Sequence, residues 1–213
     1  MIRTRTALAL ALCSWLSLAA HAQESTPAAE SQPAAPPVAT VVGVVFQTSL
    51  GEIRVSLEPD RAPVTVANFL RYVDAKRFDG ISWYRALKLD PEGKYGLVQG
   101  GLQGDPKRMF KPIAHESPSV TGLRHVDGAI SMARLEPGSA TAEFFIIVGD
   151  LVSLDGAVDG SDPGYAVFGR VTQGMDIVRQ MLKLPRDPQA GEGAMKGQML
   201  AEPVKVLSVR RAD

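Results

Sequence analysis

The period at which apolar residues recur changes several times along the chain, and each change marks an element. Val41 to Gln47 is an apolar, β-branched run, the pattern of a buried strand. Ser49-Leu50-Gly51 supplies a turn, after which Ile53, Val55 and Leu57 alternate with Glu52, Arg54, Ser56 and Glu58. That period of two belongs to a half-buried strand, so the two runs predict a hairpin. Pro59 and Pro63 interrupt the pattern. Beyond them Val66, Phe69, Leu70 and Val73 recur at i, i+3, i+4 and i+7, which predicts a helix with one apolar face, capped by Thr65 and covering an open end of a barrel.

Short apolar runs near 81–87, 95–100, 128–133, 143–148 and 165–171 lie between Gly-rich turns and predict further strands. A second helix is expected over 174–184, with Val178, Met181 and Leu182 inward and Pro185 as its stop. Residues 186–200 are Gly-rich and polar and predict a loop; Val204, Val206 and Val209 predict a closing strand. Many short strands with only two helices point to a closed β-barrel with helical caps.

The first part of the chain follows a different rule. Arg3 and Arg5 precede an apolar run from Ala7 to Ala20, and Ala20-His21-Ala22 offers a small-x-small cleavage site. Residues 1–22 therefore read as a cleavable secretory signal. The run is shorter than the roughly 20 residues that a membrane span needs, so no span is expected after cleavage. Residues 23–40 are Pro-, Ala- and Ser-rich and read as a flexible tether, and residues 41–213 as the folded domain. Cys13 is the only cysteine and leaves with the signal, so the mature chain has no thiol chemistry and tolerates an oxidising compartment. The expected location is outside the cytoplasm, in the periplasm.

Charge narrows the partners. Lys+Arg and Asp+Glu both number 23, so no basic excess points to nucleic acid. The chain has no GxSxG, Walker A or HExxH motif and no GxGxxG after a strand. His115-Glu116 and His125-x-Asp127 match no strong metal spacing, so no metal is expected.

Other segments carry the information. They are, in order, Phe78-Asp79-Gly80-Ile81-Ser82-Trp83-Tyr84-Arg85, Gln99-Gly100-Gly101, Ser131-Met132-Ala133-Arg134, Glu143-Phe144-Phe145-Ile146, Leu154-Asp155-Gly156, Tyr165-Ala166-Val167-Phe168-Gly169-Arg170-Val171 and Gly174-Met175-Asp176. Over residues 41–211 this series resembles the cyclophilin family, whose pattern runs YDG-x-x-FHR, QGG, SMA-[NR], SQFFI, LDG, VFG-[RK]-V and GMD. Tyr165, and Ser153 in place of a Trp before Leu154, are closer to the bacterial exported branch.

The resemblance implies a mainly β fold, a closed eight-stranded antiparallel barrel capped by two α-helices, with a peptide groove on its outer face. It implies peptidyl-prolyl cis-trans isomerase activity and no cofactor. Arg85 would be the catalytic arginine and Gln99 the residue that orients it. Leu97, Phe145, Leu154 and Tyr165 would wall the proline pocket, Trp83 behind Arg85 would be a further substrate-binding residue, and Ala133, Arg134 and Glu143 would meet the substrate. The partners would be proline-containing segments of unfolded or folding proteins, bound by a monomer.

These residue types suit the reaction. Rotation about an X-Pro bond breaks amide resonance against a barrier of about 20 kcal/mol and makes no covalent bond. No nucleophile is therefore required. Three departures from the family pattern bear on catalysis: Ala142-Glu143 replaces Ser-Gln, Trp83-Tyr84 replaces Phe-His, and Lys88–Tyr95 is an insertion that ends at Gly96 in place of a pocket Phe. An ionised Glu accepts hydrogen bonds only, where Gln also donates, and Glu143 is placed to draw Arg85 or Arg134 into an ion pair. A groove that binds proline without turning it over is the alternative reading.

Overall fold

The structure, a computed structural model, describes residues 40–212. The expected signal segment, and all of the expected tether except Thr40, lie outside the described residues. Nine strands follow in chain order: β1 Val42–Thr48, β2 Gly51–Leu57, β3 Ser82–Lys88, β4 Gly96–Gly101, β5 Ala129–Met132, β6 Phe144–Val148, β7 Val167–Gln173, β8 Arg186–Asp187 and β9 Met199–Arg211. Eight of them pair antiparallel in the order β1-β2-β7-β5-β6-β4-β3-β9, and β1 also pairs with β9, so the sheet closes on itself as a barrel. The two-residue β8 adds to β9 alone. Closure removes the free edges that would otherwise template aggregation.

The hairpin of β1 and β2 forms where the alternation places it. Val44 and Phe46 face Val55 and Ile53 across the pair, and all four are buried. Thr48 ties the turn, donating from Oγ1 to the carbonyl of Gly51 at 2.7 Å and accepting from the amide of Leu50 at 3.1 Å. Inside the barrel an aromatic cluster takes over. Phe46 packs on Trp83 and Phe144 with ring centroids 5.7 Å apart in each case.

Helix α1, Pro63–Asp74, caps this cluster with the face formed by Val66, Phe69, Leu70 and Val73, and its Phe69 ring touches Phe46, Phe78, Phe144 and Phe168. Thr65 does not cap it. That residue lies within the first turn, fully buried, and its Oγ1 has no hydrogen-bond partner. The Glu116 carboxylate serves instead, accepting from the amides of Val64 at 3.0 Å and Thr65 at 2.8 Å. An anion there also complements the positive end of the helix dipole.

A single helical turn, α2, spans Pro118–Thr121. Helix α3, Met175–Lys183, buries Val178, Met181 and Leu182 against β2, β3, β4 and β6. It stops before Pro185, where Leu184 is already extended with ψ 153°. The expected loop over 186–200 contains β8 and a 3₁₀ turn over Gly193–Met195, and β9 begins at Met199, earlier than the valines suggested. Among the described residues no helix is long and apolar enough to cross a membrane.

Candidate active site

The site begins with an irregularity in β3. Trp83 pairs with Gly100 and Arg85 with Gln99, so Tyr84 is an extra residue opposite β4, a β-bulge. Trp83 and Ala86 both point into the barrel and are 0% exposed, while Tyr84 and Arg85 both face outward. Gln99 in turn pairs with Phe145. Arg85, Gln99 and Phe145 thus form one row across the adjacent strands β3, β4 and β6.

This row floors an open groove of about 730 Å³. Nine of the sequence-predicted residues line it: Arg85, Leu97, Gln99, Ala133, Arg134, Glu143, Phe145, Leu154 and Tyr165. Trp83 does not: contrary to expectation it is fully buried and makes no part of the groove wall. The bulge turns its indole inward, where it meets Phe144 edge-on with centroids 5.2 Å apart. Gly100 makes room for it, since a Cβ at that position would lie 3.0 Å from Trp83 Cε3.

Arg85 is held by two amide oxygens. Its Nη1 donates to Gln99 Oε1 at 2.6 Å, and Nε and Nη2 donate to Gln198 Oε1 at 2.9 and 2.7 Å. Gln198 is fixed from behind, its Nε2 donating to the carbonyl of Ala194 at 2.6 Å. A guanidinium carries five N–H groups, so this clamp leaves two for a ligand. Burial lowers the Arg85 pKa from its ordinary value, and an arginine stays protonated regardless. Gln198 lies in the Gly-rich segment read as a loop, and no local pattern in the sequence marks it.

Glu143 makes no ion pair with Arg85 or Arg134, contrary to the sequence expectation. Its Oε2 accepts from the Tyr84 hydroxyl at 2.6 Å, and that hydroxyl accepts from Gln99 Nε2 at 2.7 Å. Burial pushes the Glu143 carboxyl above its ordinary value, opposed by the Tyr84 bond and by the nearby amides of Gln103, Gly104 and Leu102. None of those amides closes a hydrogen bond on Oε1, which is buried without a partner. Gly101 is needed beside it, both for φ +147° and because a Cβ would strike the carboxylate.

Arg134 lines the groove with its guanidinium held by the segment before Tyr165. Its Nε and Nη2 donate to the carbonyl of Gly164 at 3.0 and 2.6 Å, and Nη2 also reaches Asp162. The guanidinium lies 4.8 Å over the Tyr165 ring, which it supports as a pocket wall. Tyr165 stands edge-on to Phe145 at 5.6 Å.

Behind Phe145 lies a hydrogen-bonded chain of three side chains from separate segments. The fully buried His125 is 2.8 Å from Asp155 Oδ1 through Nδ1 and 3.0 Å from Ser131 Oγ through Nε2. Burial outweighs the pull of Asp155 and holds His125 below its ordinary pKa, hence neutral near pH 7. Asp, His and Ser in this order form the hydrogen-bond chain of a hydrolase, but Ser131 is 0% exposed and has no access to substrate. The other candidate histidine, His115, sits 3.4 Å from the carbonyl of Pro163. No group of three metal-ligating side chains forms among the described residues.

The groove thus offers an immobilised cation beside an apolar recess. Known proteins are similar in sequence and share the fold. Residues 43–210 match the family described as cyclophilin type peptidyl-prolyl cis-trans isomerase/CLD. A peptidyl-prolyl cis-trans isomerase of Acinetobacter baylyi is 31% identical over 168 residues, covering 78% of this chain and 84% of its own. The peptidyl-prolyl cis-trans isomerase A of Dickeya dadantii is 38% identical over 139 residues, covering 65% of this chain and 70% of its own. The crystal structure of a Cryptosporidium parvum cyclophilin-type isomerase superposes with a TM-score of 0.64 at 19% identity, over 82% of this chain and 99% of that one, and shares the barrel. A barrel closed through β1 and β9, a groove floored by Arg85, Gln99 and Phe145, and a family match over 43–210 lead to one conclusion: this chain belongs to the cyclophilin-type peptidyl-prolyl cis-trans isomerases.

Proposed function

We propose that the groove is the isomerase site, that Arg85 is its catalytic residue, and that its substrates are proline-containing segments of proteins folding outside the cytoplasm. The observation that carries the reading is the row Arg85, Gln99, Phe145, with the guanidinium clamped by two amide oxygens.

As the X-Pro bond rotates, the prolyl nitrogen loses resonance and regains a lone pair. A guanidinium N–H can donate to that lone pair in the rotated state and not to the planar ground state, so the contact selects the transition state. One charged hydrogen bond of about 1.5–3 kcal/mol accelerates rotation by about 10- to 150-fold. The recess of Phe145, Leu154, Tyr165 and Leu97 takes the ring, and backbone at Ala133 and Arg134 anchors the flanking chain. A groove that only bound proline would need the recess but not the clamp on Arg85, which favours turnover over mere binding.

Export is supported by the signal-like composition of residues 1–22 and by the loss of the only cysteine with them. Cleavage after Ala22 is checked by N-terminal sequencing of the secreted chain, and a mature chain that retains Cys13 overturns it. The site is tested by titrating an X-Pro peptide into the protein and following backbone amide NMR signals. Shifts centred on Gln99, Ala133 and Phe145 support the reading, and shifts centred on another face overturn it.

A further inference from the structure

We infer that Glu143, acting through the Tyr84 hydroxyl, sets which way the Gln99 amide faces and thereby aligns Arg85 for rotation of the X-Pro bond. The inference rests on the reading of Arg85 as the catalytic residue. It joins two departures from the family pattern, Tyr84 and Glu143, that look unrelated in the sequence and meet at 2.6 Å in the structure.

An amide side chain has a donor end and an acceptor end of nearly equal shape, so its neighbours must decide between them. Arg85 has only donors and needs an oxygen, which Gln99 Oε1 supplies at 2.6 Å. The other end of Gln99 meets Tyr84, whose hydroxyl is able either to give or to take a hydrogen bond. An ionised Glu143 removes that freedom. A carboxylate only accepts, so Tyr84 gives its proton to Oε2, and only lone pairs remain for the Gln99 NH2 group. The chain then runs one way, from Arg85 into the Gln99 oxygen and from the Gln99 nitrogen through Tyr84 into Glu143.

The bulge in β3 makes the circuit possible. Regular alternation would send Tyr84 and Arg85 to opposite faces, whereas the bulge sets them side by side. Tyr84 on β3 donates to Glu143 and accepts from Gln99 on β4, while the amides of Leu102–Gly104 surround the carboxylate from the end of β4. From α1 the Tyr72 hydroxyl senses the charge of Glu143. Among the described residues no cationic side chain pairs with Glu143. Tyr84 therefore holds the carboxylate without a competing cation.

Protonation removes that constraint. A neutral Glu143 can donate as well as accept, so the Tyr84 hydrogen is free to turn toward Gln99, and the amide can then present NH2 to a guanidinium that has nothing to accept it. Arg85 then loses one of its two anchors. Because burial raises the Glu143 pKa, this loss begins at a higher pH than for an exposed Glu. A reaction without proton transfer thus acquires an acid limb.

The test uses a proline peptide free of titratable side chains and measures kcat and KM for the protein, Tyr84→Phe, Glu143→Gln and Arg85→Ala between about pH 8 and about pH 4.5. Thermal midpoints at each pH separate loss of rate from loss of fold. The parent should show an acid limb in kcat/KM that Glu143→Gln abolishes, because an amide does not titrate. Tyr84→Phe should lower kcat about fivefold with KM within about twofold, the signature of a misaligned catalytic group and not of a lost contact. A parent without an acid limb, a limb equal in Glu143→Gln, or an unchanged kcat in Tyr84→Phe overturns the inference. If Arg85→Ala is as active as the parent, the reading of Arg85 fails instead. If Tyr84→Phe does not fold, the pH profile of Glu143→Gln decides alone.

Discussion

The imidazole of His125 lies parallel to the ring of Phe145, with 6.1 Å between centroids and 13° between planes. Through its two nitrogens the same imidazole joins Asp155, next to Leu154, and Ser131, two residues before Ala133. One buried histidine therefore braces three segments that wall the recess.

That brace has a pH signature. Burial places the His125 pKa below 6.5 in the folded chain, so folding favours the neutral form. Its contribution to stability is complete above the unfolded value and is lost as pH falls through the folded one. The thermal midpoint should fall as pH drops below about 6.5, and His125→Gln should be less stable but flatter over that window. A midpoint of the parent that is level from about pH 7 to about pH 5 contradicts this.

Phe145 and Trp83 should separate cleanly. Phe145→Ala removes pocket wall that touches the proline throughout, so KM should rise while kcat falls, with stability reduced by about 3 kcal/mol. Trp83→Phe opens space in the barrel interior and should cost stability with KM nearly unchanged. Urea unfolding and steady-state kinetics on both variants check the pair. A raised KM in Trp83→Phe returns the indole to the substrate contacts.

Gln198→Ala removes the acceptor of two Arg85 hydrogen bonds. The guanidinium keeps its charge and its Gln99 contact but gains freedom, so kcat should fall by about five- to tenfold with KM little changed. An equal loss of kcat in Gln198→Asn, whose amide is one methylene short of Arg85, identifies reach as the cause. Unchanged kinetics in Gln198→Ala would mean that Gln99 alone suffices.

Local pattern accounts for much of the barrel. The alternation of Ile53, Val55 and Leu57 and the helical spacing of Val66, Phe69, Leu70 and Val73 report which face is buried, and burial selects the element. The pattern of short strands pointed to a closed barrel, but the count of eight came from the motif series, because pairing such as β1 with β9 joins residues far apart in sequence. Three features escaped for the same physical reason, that their partners are distant in the chain. Glu116 caps α1 from beyond β4, Gln198 reaches Arg85 from the far end of the domain, and Tyr84 meets Glu143 across the sheet. The Trp83 assignment failed for another reason. A one-residue bulge inverts every inside–outside expectation beyond it, and Trp83-Tyr84-Arg85 carries no glycine to announce one.

The central claim is that the clamped guanidinium of Arg85 stabilises the rotated X-Pro bond and adds little to the resting complex. The measurement is isomerisation of an X-Pro peptide by the parent and by Arg85→Ala, with peptide Kd measured on the same samples by calorimetry. In Arg85→Ala, kcat/KM should fall by about 10- to 150-fold while Kd and the thermal midpoint change little, since the lost contact exists only in the transition state. An Arg85→Ala variant that isomerises as fast as the parent, or one whose loss of rate is matched by an equal loss of peptide affinity, contradicts it.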